Sequence, residues 1–284
     1  MSVNDSVFVE MIQNLEDILC GYKDPVIAVS GGVDSMTLSC FSHRILGNSN
    51  VRMVHAKSPA VPQEATRRLQ SLAKLEGWDL QVINVGEFSE KQYLDNPINR
   101  CFFCKTYLYK GIREFCGGTI LSGTNVDDLE DFRPGLEAAA NAGVRHPYVE
   151  AGFKKQDLRL LAQQLGLDSI AELPSSPCLS SRVETGIPIE AADLRAIDFL
   201  ESFIQKNWSP KSVRCRVRSE GIVIELDEKA FKLLSGDVKQ TIVAQVLKTF
   251  PQYKENFVKL AEYRKGSAFV DREVLPSPCT RGTS

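Results

Sequence analysis

Short apolar runs alternate with amphipathic stretches through the first half of the chain. Residues 25–29, 51–55, 80–85 and 119–121 read as parallel strands, the first of them a buried apolar run. Between them lie helical patterns. Residues 7–19 place apolar side chains at 8, 12, 15 and 19, and residues 36–46, 64–76 and 104–115 read as further helices. Another helix at 154–165 is ended by Gly166. Strands alternating with helices in this way imply right-handed crossovers and a parallel sheet, so the predicted class is α/β, a doubly wound parallel sheet. Ligands on such sheets bind beyond the C-terminal strand ends. Three polar segments fall there: the turn at 30–35, Ala56-Lys57-Ser58 and Gly123-Thr124-Asn125.

The pattern changes near Pro174. Pro174-Ser175-Ser176-Pro177-Cys178 reads as a loop. A helix at 189–205, strands at 212–218 and 221–226 joined at Ser219-Glu220-Gly221, and a helix at 228–250 then predict a second, smaller α+β domain. The expected organisation is a nucleotide-binding domain at 1–173, a small domain at 174–265 and a mobile tail at 266–284, which carries Pro276-Ser277-Pro278. No internal repeat or low-complexity tract interrupts this.

Composition is that of an ordinary globule, and the formal charge of −2 argues against a nucleic-acid coat. No apolar stretch is long enough for a bilayer, and the acidic N-terminus lacks the basic region of a secretory signal. The expected location is cytoplasmic. There, eight cysteines are not a disulfide framework, and clustered ones deserve a metal or catalytic reading.

Ser30-Gly31-Gly32-Val33-Asp34-Ser35 links a strand to a helix start. Gly31 and Gly32 let backbone N–H groups approach a phosphate, and Ser30 and Ser35 add hydroxyl donors. Asp34 is placed to hold Mg2+ against the phosphates. A bland reading is a glycine turn that only caps a helix. The pattern resembles the PP-loop of the ATP pyrophosphatases, in the adenine-nucleotide hydrolase-like (HUP) group of folds, and lacks the Gly-Lys-Ser/Thr ending of a Walker A loop. That resemblance implies cleavage of ATP to AMP and pyrophosphate. Gly123, Thr124 and Asn125 are expected at the nucleotide, with helix capping as a compatible second role. Asp127 and Asp128 are candidates for Mg2+ or the ribose.

Cys101-Phe102-Phe103-Cys104 carries two thiols three residues apart, with Asn99 and Arg100 before and Lys105 after. Neighbouring cations favour thiolates, so the pair suits a metal or iron–sulfur centre; a redox pair and two packed thiols are the other readings. Cys178, on its Pro/Ser loop beside Leu179-Ser180-Ser181-Arg182, is a candidate nucleophile at the junction of the two domains, or else a buried loop cysteine. Arg182 is a candidate partner for its thiolate or for a bound carboxylate. Arg214, Arg216 and Arg218 alternate along one strand and share a face, which suits an anion or, alternatively, guards a sheet edge. Asp131 and Arg133 are read equally as an ion pair or as substrate contacts. His43, His55 and His146 have no ligand spacing, Cys20, Cys40 and Cys116 read as helical thiols, and Cys215 is expected to pack inward, opposite the arginines.

Together these segments resemble the LarE family. The resemblance rests on the turn at 30–35, Asn96-Pro97-Ile98-Asn99-Arg100 running into the cysteine pair, Gly123-Thr124-Asn125-Val126-Asp127-Asp128, Asp131-Phe132-Arg133-Pro134-Gly135 and Ser176-Pro177-Cys178-Leu179-Ser180-Ser181-Arg182. It runs from about residue 10 to 265. LarE enzymes are ATP-dependent sulfur transferases that help build the nickel-pincer nucleotide of lactate racemase. The resemblance implies adenylation of a carboxylate of pyridinium-3,5-biscarboxylic acid mononucleotide at the domain junction, then replacement of oxygen by sulfur. Arg214 and Arg216 become phosphate-binding candidates, and Arg218 lies where the match is poorer. Three-cysteine members imply a 4Fe–4S cluster on Cys101, Cys104 and Cys178 whose open iron carries an extra sulfide. Single-cysteine members imply instead that Cys178 gives up its own sulfur and becomes dehydroalanine. A homo-oligomer, in the family a hexamer, is also implied. The rival readings are a transfer-RNA thiolation enzyme, an amide-forming ligase such as NAD or GMP synthetase, and a zinc-stabilised nucleotide-binding protein without catalysis.

Overall fold

Four short strands, β1 (Pro25–Ala28), β2 (Arg52–Ala56), β3 (Leu80–Ile83) and β4 (Thr119–Leu121), build an all-parallel sheet in the order β3-β2-β1-β4. The structure is a computed structural model, and it describes residues 3–129 and 134–264. Side chains alternate across the sheet. Val26, Val54 and Ile120 therefore enter one apolar layer with Tyr109 and Ile112, while Ile27, Met53 and Leu121 enter another with Leu15, Met36 and Leu158. The central strand β1 is buried on both faces and reads as a continuous apolar run, while the edge strand β3 is only partly buried, with Val82 exposed.

Nine helices among the described residues accompany this sheet: α1 (Val3–Cys20), α2 (Val33–Leu46), α3 (Gln63–Glu76), α4 (Lys91–Leu94), α5 (Arg100–Cys116), α6 (Pro134–Asn141), α7 (Pro147–Glu150), α8 (Lys155–Gln164) and α9 (Asp168–Ala171). The doubly wound parallel sheet is thus the observed architecture. Helix α5 begins at Arg100, a turn earlier than the expected 104, so Cys101 and Cys104 both stand at its start.

By its internal packing the chain divides into Met1–Ser180 with Pro188–Asp198, and Ser181–Ile187 with Phe199–Ser284. The helix α10 (Ala191–Trp208) contributes to both units. In the second unit β5 (Val213–Arg218), β6 (Gly221–Leu226) and β7 (Val258–Glu262) form a mixed sheet in the order β5-β6-β7. Strands β5 and β6 are an antiparallel hairpin closed by Ser219-Glu220, and β7 lies parallel to β6. Every residue of the central strand β6 is buried. The small sheet with its helices is the expected α+β pattern.

Two further features differ from the sequence expectation. The helix expected at 228–250 is two helices, α11 (Glu228–Lys232) and α12 (Gly236–Thr249). The Asp227 side chain caps the first by accepting from Ala230 N, and the Ser235 hydroxyl caps the second by accepting from Val238 N. A capping serine followed by glycine offers a new helix start that competes with continuation. Strand β7 was not expected. The segments 130–133 and 265–284 lie outside the described residues, and with them Asp131, Arg133, Cys279 and the expected tail. Among the described residues no helix is long and apolar enough to cross a membrane.

Candidate active site

The glycine turn connects β1 to α2 and is locked by contacts that only glycine permits. Gly31 has φ +82°, and a Cβ there would lie 2.7 Å from the Ala65 carbonyl oxygen. Gly32 is the extended N-cap of α2 and no side chain caps this helix start. Its first N–H groups and the positive end of the helix dipole thus suit an anion. Ser35 closes the turn: its Oγ accepts from Ser30 N at 3.1 Å and lies 3.0 Å from Ser30 Oγ. The guanidinium of Arg68 donates to Gly31 O at 2.8 Å. Gly123, just beyond β4, packs on the same turn, since a Cβ there would lie 2.8 Å from Ser35 N.

Asp34, the sequence candidate for Mg2+, is held by Lys155 at the start of α8, whose Nζ donates to both carboxylate oxygens at 2.6 Å. Burial pushes the Asp34 pKa up and Lys155 only partly opposes this. Lys155 was not a sequence candidate. Nothing in its local pattern separates it from Lys154, and only the packing of α8 against α2 brings it to the turn.

The segment after β4 folds on its own side chains. Asn125, 1% exposed, accepts at Oδ1 from Asp127 N, and Asp128 Oδ2 accepts from Asn125 N, each at 3.1 Å. Asp127 Oδ2 accepts from Lys155 N at 2.9 Å. Thr124 Oγ1 lies 2.9 Å from Ser122 Oγ, which is 2.8 Å from His146 Nδ1. Asn125 and Asp128 therefore shape the turn, and Thr124 belongs to a short polar chain. His55 is buried between Val29 O and Thr66 Oγ1, as a packed histidine would be. A cavity of about 710 Å³ opens beyond β2 and β3, bordered by Lys57, Ser58 and Asn84.

Cys101, Cys104 and Cys178 belong to the same unit as the turn. Cys101 and Cys178 are exposed and Cys104 is half-buried. Burial, then the charge of Cys178, push the Cys104 thiol up to about 12. The three cysteines also bear on the Lys105 ammonium, which lies 5.6 Å from the centroid of the Tyr109 ring. Hence the three thiols share one electrostatic neighbourhood with a cation. Gly135 abuts it: a Cβ there would meet Lys105 Cγ at 3.1 Å and Cys101 Cβ at 4.0 Å. No three His, Cys, Asp or Glu among the described residues are grouped to hold a single metal ion. Mg2+ usually takes few protein ligands and completes its shell with phosphates and water, and an iron–sulfur cluster spreads its thiolates over several irons. The residue types at both places fit those groups.

The expected arginine face of the second unit is internally paired. Arg216 Nε donates to Glu225 Oε2 at 2.9 Å, and Arg218 Nη2 to Glu225 Oε1 at 2.8 Å. Arg216 also donates to Ser181 O at 2.9 Å. Arg182, 2% exposed, makes a two-pronged pair with Glu201 at 2.9 Å on each prong. Glu201 further accepts from Cys215 N, on the fully buried inward-facing residue of β5. Arg214 stacks over Tyr263 at 5.7 Å, and burial followed by the nearby Arg182 lowers its pKa. An anion would relieve that cost. Glu225 had a readable signal: the hairpin register pairs it with Arg214 and sets it diagonal to Arg216. The two strand arginines should respond differently to truncation. Arg216→Ala is expected to cost about 3 kcal/mol of stability by stripping a buried carboxylate of a partner. Arg214→Ala should leave the urea midpoint nearly unchanged and raise KM for an anionic substrate.

A serine-flanked glycine turn at the end of β1, on a β3-β2-β1-β4 parallel sheet, defines a PP-loop-like nucleotide-binding fold. No family model matches the chain. It is 30% identical over 206 residues to the pyridinium-3,5-bisthiocarboxylic acid mononucleotide synthase of Lactiplantibacillus plantarum, covering 71% of this chain and 74% of that protein. It is also 30% identical to an uncharacterized protein of Synechocystis sp. over 88% of this chain and 92% of the relative. A further uncharacterized protein, from Methanocaldococcus jannaschii, is 27% identical over 85% and 91%. The chain belongs to the LarE family, that of the Lactiplantibacillus plantarum synthase.

Proposed function

We propose that this chain is an ATP-dependent sulfur transferase that converts a carboxylate of pyridinium-3,5-biscarboxylic acid mononucleotide to a thiocarboxylate. The observation that carries the reading is the presence, within one folded unit, of an anion-cradling turn at 30–35 and three cysteines from distant segments sharing one electrostatic neighbourhood. A carboxylate oxygen of the substrate attacks the α-phosphorus of ATP and pyrophosphate leaves. Sulfur then attacks the activated carbonyl carbon, and AMP departs with the original oxygen.

The side chains divide this work. Backbone N–H groups at 31–35, with Ser30 and Ser35, bind the phosphates. Asp34 would hold Mg2+, which would neutralise phosphate charge, and Lys155, now on Asp34, stands ready to add its cation to the phosphates. Arg214 supplies cationic charge for the substrate's anionic groups, while Glu201 and Glu225 hold Arg182 and Arg216. Lys105 offsets negative charge gathering on the thiols. Bound at Cys101, Cys104 and Cys178, a 4Fe–4S cluster supplies a replaceable sulfide and spares the protein's own sulfur.

The exposure of Cys178 on an irregular loop also suits the sacrificial route, in which its thiol attacks the adenylate and its sulfur is surrendered. Anaerobic purification followed by iron, sulfide and intact-mass analysis before and after turnover separates the two. Retained iron and an unchanged mass are expected. A loss of hydrogen sulfide from the protein mass would establish sacrifice, and absence of both AMP and thiocarboxylate would refute the reading altogether.

A further inference from the structure

We propose that Tyr93 positions Cys178 for sulfur delivery by anchoring, through its hydroxyl and that of Ser180, the loop that carries this cysteine. The inference rests on the proposed role of Cys178 as a sulfur-bearing residue. Residues 174–178 are exposed, and they form no helix or strand. A misplacement of about 1 Å at a reacting group costs on the order of 100-fold in rate, so how this loop is held matters. The residues that directly follow Cys178 help to set its position.

Two ties are present. Leu179 N donates to Ala60 O at 2.8 Å. One residue on, Ser180 Oγ lies 2.6 Å from Tyr93 Oη, and both residues are buried, at 0% and 2% exposure. Tyr93 sits in α4, whose chain runs through Asn96 and Pro97 directly into α5 and its two cysteines. Its ring is wedged edge-on against Phe88 at 5.4 Å, so the hydroxyl is held by packing. Burial and then the charges of Cys178 and Cys104 act on that hydroxyl, so it lies within electrostatic reach of the thiols. A single side chain thus ties the Cys178 loop to the segment that delivers Cys101 and Cys104, across 87 positions of sequence.

The test uses the full-length metal-free protein and the bifunctional thiol reagent dibromobimane, with cross-linked peptides mapped by mass spectrometry. Wild type should join Cys178 to Cys101 or Cys104. Tyr93→Phe and Ser180→Ala, each removing only a hydroxyl, should cut that yield at least about fivefold, and the double variant should be no worse than either. Sulfur-transfer kcat should fall about tenfold or more with KM for ATP unchanged, and Ser180→Thr should restore both readings. The proposal is overturned if either hydroxyl-deleted variant cross-links and transfers sulfur like wild type, or if the two effects add as independent losses. Tyr93-dependent cross-linking in a protein that makes no thiocarboxylate would demonstrate the anchor, sink the functional reading and remove the sulfur-delivery half of this proposal.

Discussion

Cys178→Ala protein is expected to consume ATP in the presence of the pyridinium substrate yet form no thiocarboxylate, at least about 1,000-fold below wild type. The turn at 30–35 does not depend on this side chain, so pyrophosphate should still appear. The sulfur step does depend on it by either route, as cluster ligand or as donor. Thiocarboxylate formation at a wild-type rate would remove Cys178 from the account. Cys101→Ser sharpens the comparison. It should lose iron and stop after a single turnover, because the α5 thiols matter for renewal of sulfur rather than for adenylation. Unchanged multiple turnover in Cys101→Ser would mean that the α5 pair is structural.

Asp34→Asn should lower pyrophosphate release by on the order of 100-fold or more while leaving the fold as stable as before. The stability half follows from linkage. Burial raises the folded-state pKa of Asp34 despite Lys155, so the charged carboxylate costs the fold free energy. A raised carboxyl contributes stability only while protonated, and that contribution is lost as pH rises from the unfolded pKa through the folded one. At neutral pH, asparagine removes the cost. Lys155 is about one-third exposed and can turn to water. The expected readout is a melting temperature no lower than wild type beside a collapsed rate, the pattern of a residue kept for function. A melting temperature several degrees lower would make the Asp34–Lys155 pair a structural bridge.

Strands β1 and β4 were legible because they are largely buried and leave short apolar runs at Val26 and Ile120, while β3 at the sheet edge was legible from Leu80, Val82 and Ile83 despite Val82 being exposed. The turn at 30–35 was legible from its Ser-Gly-Gly-Val-Asp-Ser pattern between a strand and a helix, and the structure adds why glycine is needed at Gly31: its φ is positive and Ala65 leaves no room for a side chain. What the sequence hid was long-range pairing. Lys155 reaches Asp34 across 121 positions and Tyr93 reaches Ser180 across 87, and no local period marks either. The arginine face shows an intermediate case. Alternation placed Arg214, Arg216 and Arg218 together, but reading them as open cations overlooked Glu225 on the neighbouring strand of the same hairpin. The break between α11 and α12 was missed because the apolar period continues through it, while Ser235 and Gly236 decide the helix start locally.

Stoichiometry tests the central claim most directly: adenylating power and sulfur act on one bound carboxylate. Purified protein, ATP, Mg2+ and pyridinium-3,5-biscarboxylic acid mononucleotide are combined anaerobically with a sulfide source, and AMP, pyrophosphate and substrate mass are followed together. The account predicts one AMP and one pyrophosphate for each oxygen replaced by sulfur, with neither released when substrate is withheld. Release of both without any exchange of sulfur for oxygen, in protein with all three thiols intact, would contradict it.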